Sequence, residues 1–168
     1  MSEDATSDIT IVRATERQRP DLELLVSRIE TEDHPDDPQA AALAPGGMAA
    51  SLDRYDALSS DSIWFLIAYR GARPVGLCVA VRVPKLDERV GFLYLDELHV
   101  LTEHRRRGIG GALMRSAVDL TCELGLAGIR LLTRPDNRPA RALYESLGYQ
   151  RSETLLYQLR VEHHDSSF

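Results

Sequence analysis

The sequence predicts a mixed α/β layer fold, with a mostly antiparallel sheet that carries one parallel pair. Two observations carry that prediction. Three apolar, β-branched-rich runs (Ile63 to Tyr69, Pro74 to Val83 and Gly91 to Val100) follow one another across short turn segments, the pattern of an antiparallel meander. The third run leads into a stretch of helical period from Ile109 to Leu124, and then into another strand-like run, Ile129 to Thr133. Strand, helix, strand is a parallel crossover, right-handed by default, pairing about residues 92–100 with 129–133.

Each element has its own local reason. Ile9 to Ala14 (ITIVRA) is a short β-branched run and reads as the first strand. Arg19 to Glu30 places Leu22, Leu25, Val26 and Ile29 at helical spacing, with Pro20 where helix openings tolerate it. Thr31 to Pro38 is acidic and broken by prolines. The alanine-rich segment to about Leu58 reads as one or two short helices interrupted at Pro45-Gly46-Gly47. Arg70-Gly71-Ala72-Arg73 between two apolar runs is a hairpin signal. Ile109, Ala112, Leu113, Ala117, Leu120 and Leu124 form one buried helical face, ended by Gly125. Asn137 to Leu147 is a short helix closed by Gly148, and Thr154 to Val161 is the final strand.

Length and composition narrow the function. The 168 residues suffice for one domain, expected over residues 9–162 between a polar N-terminal tail (1–8) and a polar C-terminal tail (163–168). A formal net charge of −6 argues against nucleic acid as a partner. Met1 to Asp8 lacks the basic start and apolar run of a signal peptide, and no apolar stretch is long enough to span a membrane. Cys78 and Cys122 have no metal-ligand spacing and are too few for a disulfide framework, so a reduced cytoplasm is the expected compartment and no metal is expected. His163 and His164 belong to the polar tail rather than to a metal site.

The chemistry concentrates in two segments. Arg105-Arg106-Arg107-Gly108-Ile109-Gly110-Gly111 joins a strand to a helix start, where free backbone N–H groups, glycines and the helix dipole favour a phosphate. It is neither a Walker A loop nor a dinucleotide fingerprint, since Leu113 stands where the latter needs its third glycine. Alone, it reads equally as a tight turn with solvated arginines. The second segment, Asn137 to Tyr149, reads alone as a core-packing helix capped by Asn137. Its Tyr144 is then either an apolar filler or a phenol able to donate a proton.

Taken together, Leu98-His99-Val100, Arg105-x-x-Gly108-x-Gly110 and the Asn137 to Gly148 signature resemble the GNAT superfamily of acetyl-CoA-dependent N-acetyltransferases. The resemblance is strongest over residues 91–149. It implies helices on both sheet faces, a splay between the parallel strands, and acetyl-CoA held in that gap. The pyrophosphate would sit on backbone N–H groups of Arg106, Arg107, Gly108, Ile109, Gly110 and Gly111, with Arg105 and its neighbours adding charge. Glycine at 108 and 110 would keep side chains from holding the phosphates off the backbone. The strand edge at Leu98, His99 and Val100 would pair with pantetheine, Asn137 and Arg141 would touch the pantetheine and nucleotide side, and Tyr144 would protonate the departing thiolate. A homodimer is a further option on this fold by analogy alone.

Direct attack by an amine also needs a base. Family members often place it four or six residues before the strand-ending valine, here Asp96 and Tyr94. Strand alternation puts both on the face of Leu98 and Val100, with Glu97 and His99 on the other, which ranks Asp96 ahead of Glu97 and His99. Both cysteines fit apolar positions where thiols are inert packing, so direct transfer is favoured over a thioester route. The acceptor segment is expected at about Glu30 to Ser60 plus Pro84 to Arg89. Its carboxylates Glu30, Glu32, Asp33, Asp36 and Asp37 either steer a cationic amine or form a solvated loop. The Tyr94-Leu95-Asp96-Glu97 run is also similar to the corresponding strand of diamine acetyltransferases. The reading is therefore an N-acetyltransferase for a primary amine such as a polyamine, an amino sugar or a protein amine. A non-catalytic acyl-CoA-binding module and a transferase of longer acyl chains are the alternatives.

Overall fold

The computed structural model describes residues 8–85 and 90–159. Its centre is a five-stranded sheet in sequence order: β1 (Ile9–Arg13), β2 (Ile63–Arg70), β3 (Arg73–Val83), β4 (Phe92–Val100) and β5 (Ile129–Leu131). β1 to β4 are antiparallel neighbours, and β4 and β5 are parallel. Four helices cover the sheet: α1 (Arg19–Asp33), α2 (Pro38–Arg54), α3 (Ile109–Glu123) and α4 (Arg138–Ser146). The meander, the crossover and the mixed sheet expected from the sequence are all present.

Strand alternation divides the core into two layers. Trp64, Leu66, Cys78, Leu93 and Leu95 turn to one face and pack with Ile109, Leu113, Met114 and Ala117 of α3, with Leu143, Tyr144 and Leu147 of α4 at the edge. Phe65, Ile67 and Leu77 turn to the other face and meet Leu22, Leu25 and Ile29 of α1 and Leu52 of α2. The helices thus lie on both faces, and the connections at the C-terminal ends of β4 and β5 meet at one end of the sheet.

Two expectations are corrected. The segment from Pro38 is one continuous helix to Arg54 and passes through Pro45. A proline inside a helix leaves the carbonyl four residues earlier without its N–H donor. Here that carbonyl belongs to Ala41, and the hydroxyl of Ser27 on α1 donates to it at 3.0 Å. The tertiary contact replaces the lost helical bond, so the break expected at Pro45-Gly46-Gly47 does not occur. The second correction concerns Thr154 to Val161. Residues 151–159 form no strand, and Leu155, Leu156, Tyr157 and Leu159 are exposed. A β-prone sequence becomes a strand only against an edge, and the described part of this segment pairs with none. Its end, with the C-terminal tail, the tail before Asp8 and the loop residues 86–89, lies outside the described residues. No described helix is long and apolar enough to cross a membrane.

Candidate active site

The donor side is built from main chain. β5 pairs with β4 only through Leu93↔Ile129, Tyr94↔Arg130 and Leu95↔Leu131, two residues short of the expected end at Thr133. Past Leu95 the β4 edge toward β5 has no strand partner up to Val100 among the described residues, which leaves backbone groups on that side unpaired. β4 then runs through Leu101 and a 3-10 turn, Thr102–His104, into the glycine turn that starts α3. The backbone N–H groups of residues 106–111 donate to no protein acceptor among the described residues; Ala112 is the first to bond back, to the Gly108 carbonyl at 3.0 Å. Six free donors at the positive end of a 15-residue helix form an anion cradle.

The two motif glycines have different reasons for being glycine. Gly108 caps α3 at φ +78, a left-handed conformation, and a Cβ there would meet nothing within 4 Å. Its constraint is backbone conformation. Gly110 is helical, and a Cβ there would lie 3.1 Å from Leu143 Cδ2 of α4. Its absent side chain lets α4 approach α3, which amends the expectation that both glycines serve only phosphate access. Arg106 also has a left-handed φ of +64, a strain that non-glycine residues carry at a cost of about 1–2 kcal/mol.

The three arginines divide as well. Arg105 is exposed, yet its Nε donates to the Val100 carbonyl at 2.7 Å, and its Nη2 reaches Glu32 and His99 at 3.5 Å each. It braces the turn that leads into the cradle. Arg106 and Arg107 are exposed and form no ion pair among the described residues. On α4, the Asn137 carboxamide oxygen accepts from Ala140 N at 3.2 Å, and Arg141 donates to the Pro135 carbonyl at 2.9 Å. Both brace the entry to α4. Arg141 also meets Glu145 one helical turn on at 3.9 Å.

Tyr144 projects from α4 toward the core beneath β4, its ring centroid 6.0 Å from that of Tyr149. Burial, and then the neighbouring Cys78, push its phenol above the ordinary value. A raised value keeps the phenol protonated at neutral pH, as a proton donor requires. The Tyr149 hydroxyl is buried with no hydrogen-bond partner among the described residues, and burial pushes it up to about 12. Cys78 is fully buried and burial drives its thiol up to about 12, so thiolate is scarce there. Cys122, expected to be packed, is exposed on α3.

The acceptor side is built from side chains. The β3–β4 register passes from Val79↔Glu97 to Ala80↔Leu95, leaving Asp96 as an extra residue, a β-bulge. The bulge breaks the expected alternation at Asp96 and Tyr94, while Glu97 and His99 lie opposite Val100 as expected. Leu98 and Val100 lie with Leu93 and Leu95 against α3, not with Tyr94, and Asp96 and Glu97 both line a cleft of about 550 Å³ under α1 and α2. Its floor is apolar (Ile29, Met48, Phe65, Leu77 and Val79), and Glu30 and Asp33 of α1 join the two β4 carboxylates on its walls. Glu97 is reached by solvent through the mouth, yet the enclosing walls remove part of its hydration. That loss, and next the Asp96 charge, raise its pKa, with Asp33 and Glu30 adding to the rise. Both β4 carboxylates therefore stand on the cleft wall as candidate bases.

Glu32, one of the acidic residues of the α1 terminus, turns away from the cleft. Its carboxylate accepts from Thr102 N at 2.9 and 3.1 Å, from Thr102 Oγ1 at 2.8 Å, and meets His99 Nε2 at 3.2 Å. Burial works against its charge, but the Thr102 bonds and His99 outweigh burial and hold the carboxyl below the usual range. Sequence reasoning placed Glu32 in the acceptor cluster and did not foresee this role.

Residues 22–149 match the family model described as Acetyltransferase (GNAT) family. N-acetyltransferase family 8 member 3 of Rattus norvegicus is 34% identical over 102 residues, covering 60% of this chain and 44% of that protein. N-acetyltransferase 8 of Homo sapiens is 33% identical over 95 residues, 56% of this chain and 42% of that protein. The chain thus spans less than half the length of these relatives. Among solved structures, an aminoglycoside acetyltransferase from an uncultured soil metagenomic sample superposes with a TM-score of 0.73 at 24% identity, covering 92% of this chain and 99% of that one. AAC(6')-Iy in complex with the bisubstrate analog CoA-S-monomethyl-acetylneamine gives 0.72 at 18% identity, with 92% and 99% covered. At such identities the likeness is one of fold.

Proposed function

The chain belongs to the acetyltransferase (GNAT) family, and from that premise we propose that it transfers the acetyl group of acetyl-CoA directly to a primary amine. The observation that carries the proposal is the open β4 edge leading straight into six free N–H donors at the α3 terminus. The edge offers backbone partners to an extended amide chain, and the donors offer a seat to a pyrophosphate. Acetyl-CoA supplies an activated thioester, and the amine nitrogen attacks its carbonyl as the thiolate leaves. Tyr144 gives its proton to the sulfur. Before that attack Glu97, with Asp96 as second candidate, takes a proton from the ammonium group, directly or through water; the second proton, shed by the nitrogen as the amide forms, balances the one Tyr144 gave and restores the phenol through solvent.

The acceptor lies in the cleft between α1, α2 and β4. Four carboxylates above an apolar floor favour an amine that is cationic and carries an apolar segment. Direct transfer is preferred to a thioester route because Cys78 is buried and its thiol is held protonated. The test is release of free thiol from acetyl-CoA across a panel of mono-, di- and polyamines. Turnover should favour acceptors with a second positive charge several carbons from the reacting amine. Binding of CoA without turnover on any amine would instead make the chain an acyl-CoA-binding module.

A further inference from the structure

Building on that reading, we infer that Glu32 is a positioning residue that locks the acceptor wall to the donor cradle. α1 contributes Ile29, Glu30 and Asp33 to the cleft, while Glu32 in the same turn reaches in another direction. Its one carboxylate gathers the Thr102 backbone N–H, the Thr102 hydroxyl, His99 and Arg105. Those partners are 67 to 73 residues distant in sequence, so this is a tertiary tie and not a local cap. Each partner belongs to the path from β4 to the cradle. His99 is on β4, Thr102 opens the 3-10 turn, and Arg105 fastens that turn to the Val100 carbonyl just before the free N–H groups.

The carboxylate is well held. Its side chain is 23% exposed, and hydrogen bonds from a backbone N–H and a hydroxyl fix both oxygens. One helical turn earlier, Arg28 meets Glu103 at 2.7 Å. That pair also joins α1 to the 3-10 turn, but it forms no hydrogen bond to β4 or Arg105 among the described residues, so it offers a control. If Glu32 lets go, the turn that aims the cradle and the helix that carries Glu30 and Asp33 lose their common anchor. Neither binding surface is itself removed. The consequence is a loss of coupling between the two substrates.

The experiment compares wild type, Glu32→Gln, Glu32→Ala and Arg28→Ala in steady-state kinetics, with CoA affinity measured calorimetrically with and without the amine. In Glu32→Gln, which keeps the shape but drops the charge, KM for acetyl-CoA and for the amine should rise together by roughly tenfold. kcat should fall less, and any effect of bound amine on CoA affinity should shrink toward none. Arg28→Ala should leave both KM values within about twofold. Wild-type KM values and coupling in Glu32→Gln, or an equal effect from Arg28→Ala, would overturn the positioning role. A wild-type chain that binds no CoA and acetylates no amine would overturn the functional reading instead, so the two failures are distinct. Should Glu32→Ala fail to fold, the isosteric Gln variant still decides the matter.

Discussion

The two sides of the candidate site are made of different material. The donor side uses the open edge of β4, six backbone N–H groups and a left-handed glycine, all within residues 96–111. The acceptor side uses side chains from α1, α2, β2, β3 and β4, brought together from residues 26 to 99. Main-chain recognition fixes backbone conformation, so it demands particular residues at particular spacings and leaves a contiguous signature. Side-chain recognition needs only that suitable groups meet in space, and many sequences achieve that. The ligand that such a fold keeps in common is therefore readable, and the ligand that varies is not.

The largest test of this division is at the proposed proton donor and base. Tyr144→Phe should lower kcat by about a hundredfold while leaving both KM values near wild type, since general-acid contributions typically fall in the range of about 10² to 10⁴. Full activity in that variant would remove Tyr144 from the mechanism. Next comes Glu97→Gln, expected to cost about thirtyfold in kcat at neutral pH, less than a lone base would because Asp96 stands beside it. The raised pKa of Glu97 also fixes two signs. Activity should rise with pH through that pKa, and the variant should lose this acidic limb. Stability from the same group is present below the unfolded-state value and is lost as pH rises through the folded-state value. Glu97→Gln should therefore melt slightly higher than wild type at neutral pH while working worse. If Asp96→Asn erases the limb instead, the base is Asp96.

On the donor side Gly108→Val is predicted to act through backbone strain. A side chain at φ +78 meets no atoms but costs roughly 1–2 kcal/mol, more for a β-branched residue. The turn should relax away from that conformation, raising KM for acetyl-CoA about tenfold and sparing the amine KM. An equal rise in both would mean that the two sides are less separable than their construction suggests.

The same contrast explains what the sequence disclosed. The meander, the crossover helix and the capped α4 follow from local periodicity and from Asn137 and Gly148, and the structure has them all. In the site's central strand, unbroken alternation places Glu97 and His99 correctly opposite Val100 but puts Asp96 on the wrong face. The apolar positions of β4 are Leu93, Leu95, Leu98 and Val100, and the step of three between Leu95 and Leu98 is the bulge written in sequence. That spacing marks Asp96 as the residue that leaves the alternation. Pro45 was not legible in the same way. Its tolerance depends on Ser27, a residue of another helix that donates to the orphaned Ala41 carbonyl. The described part of the Thr154 to Val161 run, to residue 159, fails for the complementary reason: its own pattern is strand-like, but strand formation depends on an available edge, which local sequence does not encode.

The smallest expected effect is the sharpest probe of a backbone-built donor site. Arg106 holds a left-handed φ of +64 with an exposed side chain. If the cradle binds through N–H groups, glycine at this position should serve as well as arginine. Relief of about 1–2 kcal/mol of conformational cost is offset by the roughly 0.4–1 kcal/mol that glycine gives back to the unfolded chain. Arg106→Gly should therefore shift Tm upward by no more than about 4 °C for a domain of this size. KM for acetyl-CoA should rise by less than about threefold, the share of one solvated charge near a phosphate, and that rise should vanish at high salt. A tenfold rise that persists in salt would mean that the guanidinium carries the phosphate, and the donor side would then be built from side chains like its neighbour. Retention of affinity with a small gain in Tm would fix the strain at Arg106 as a cost of the turn's geometry that glycine does not bear.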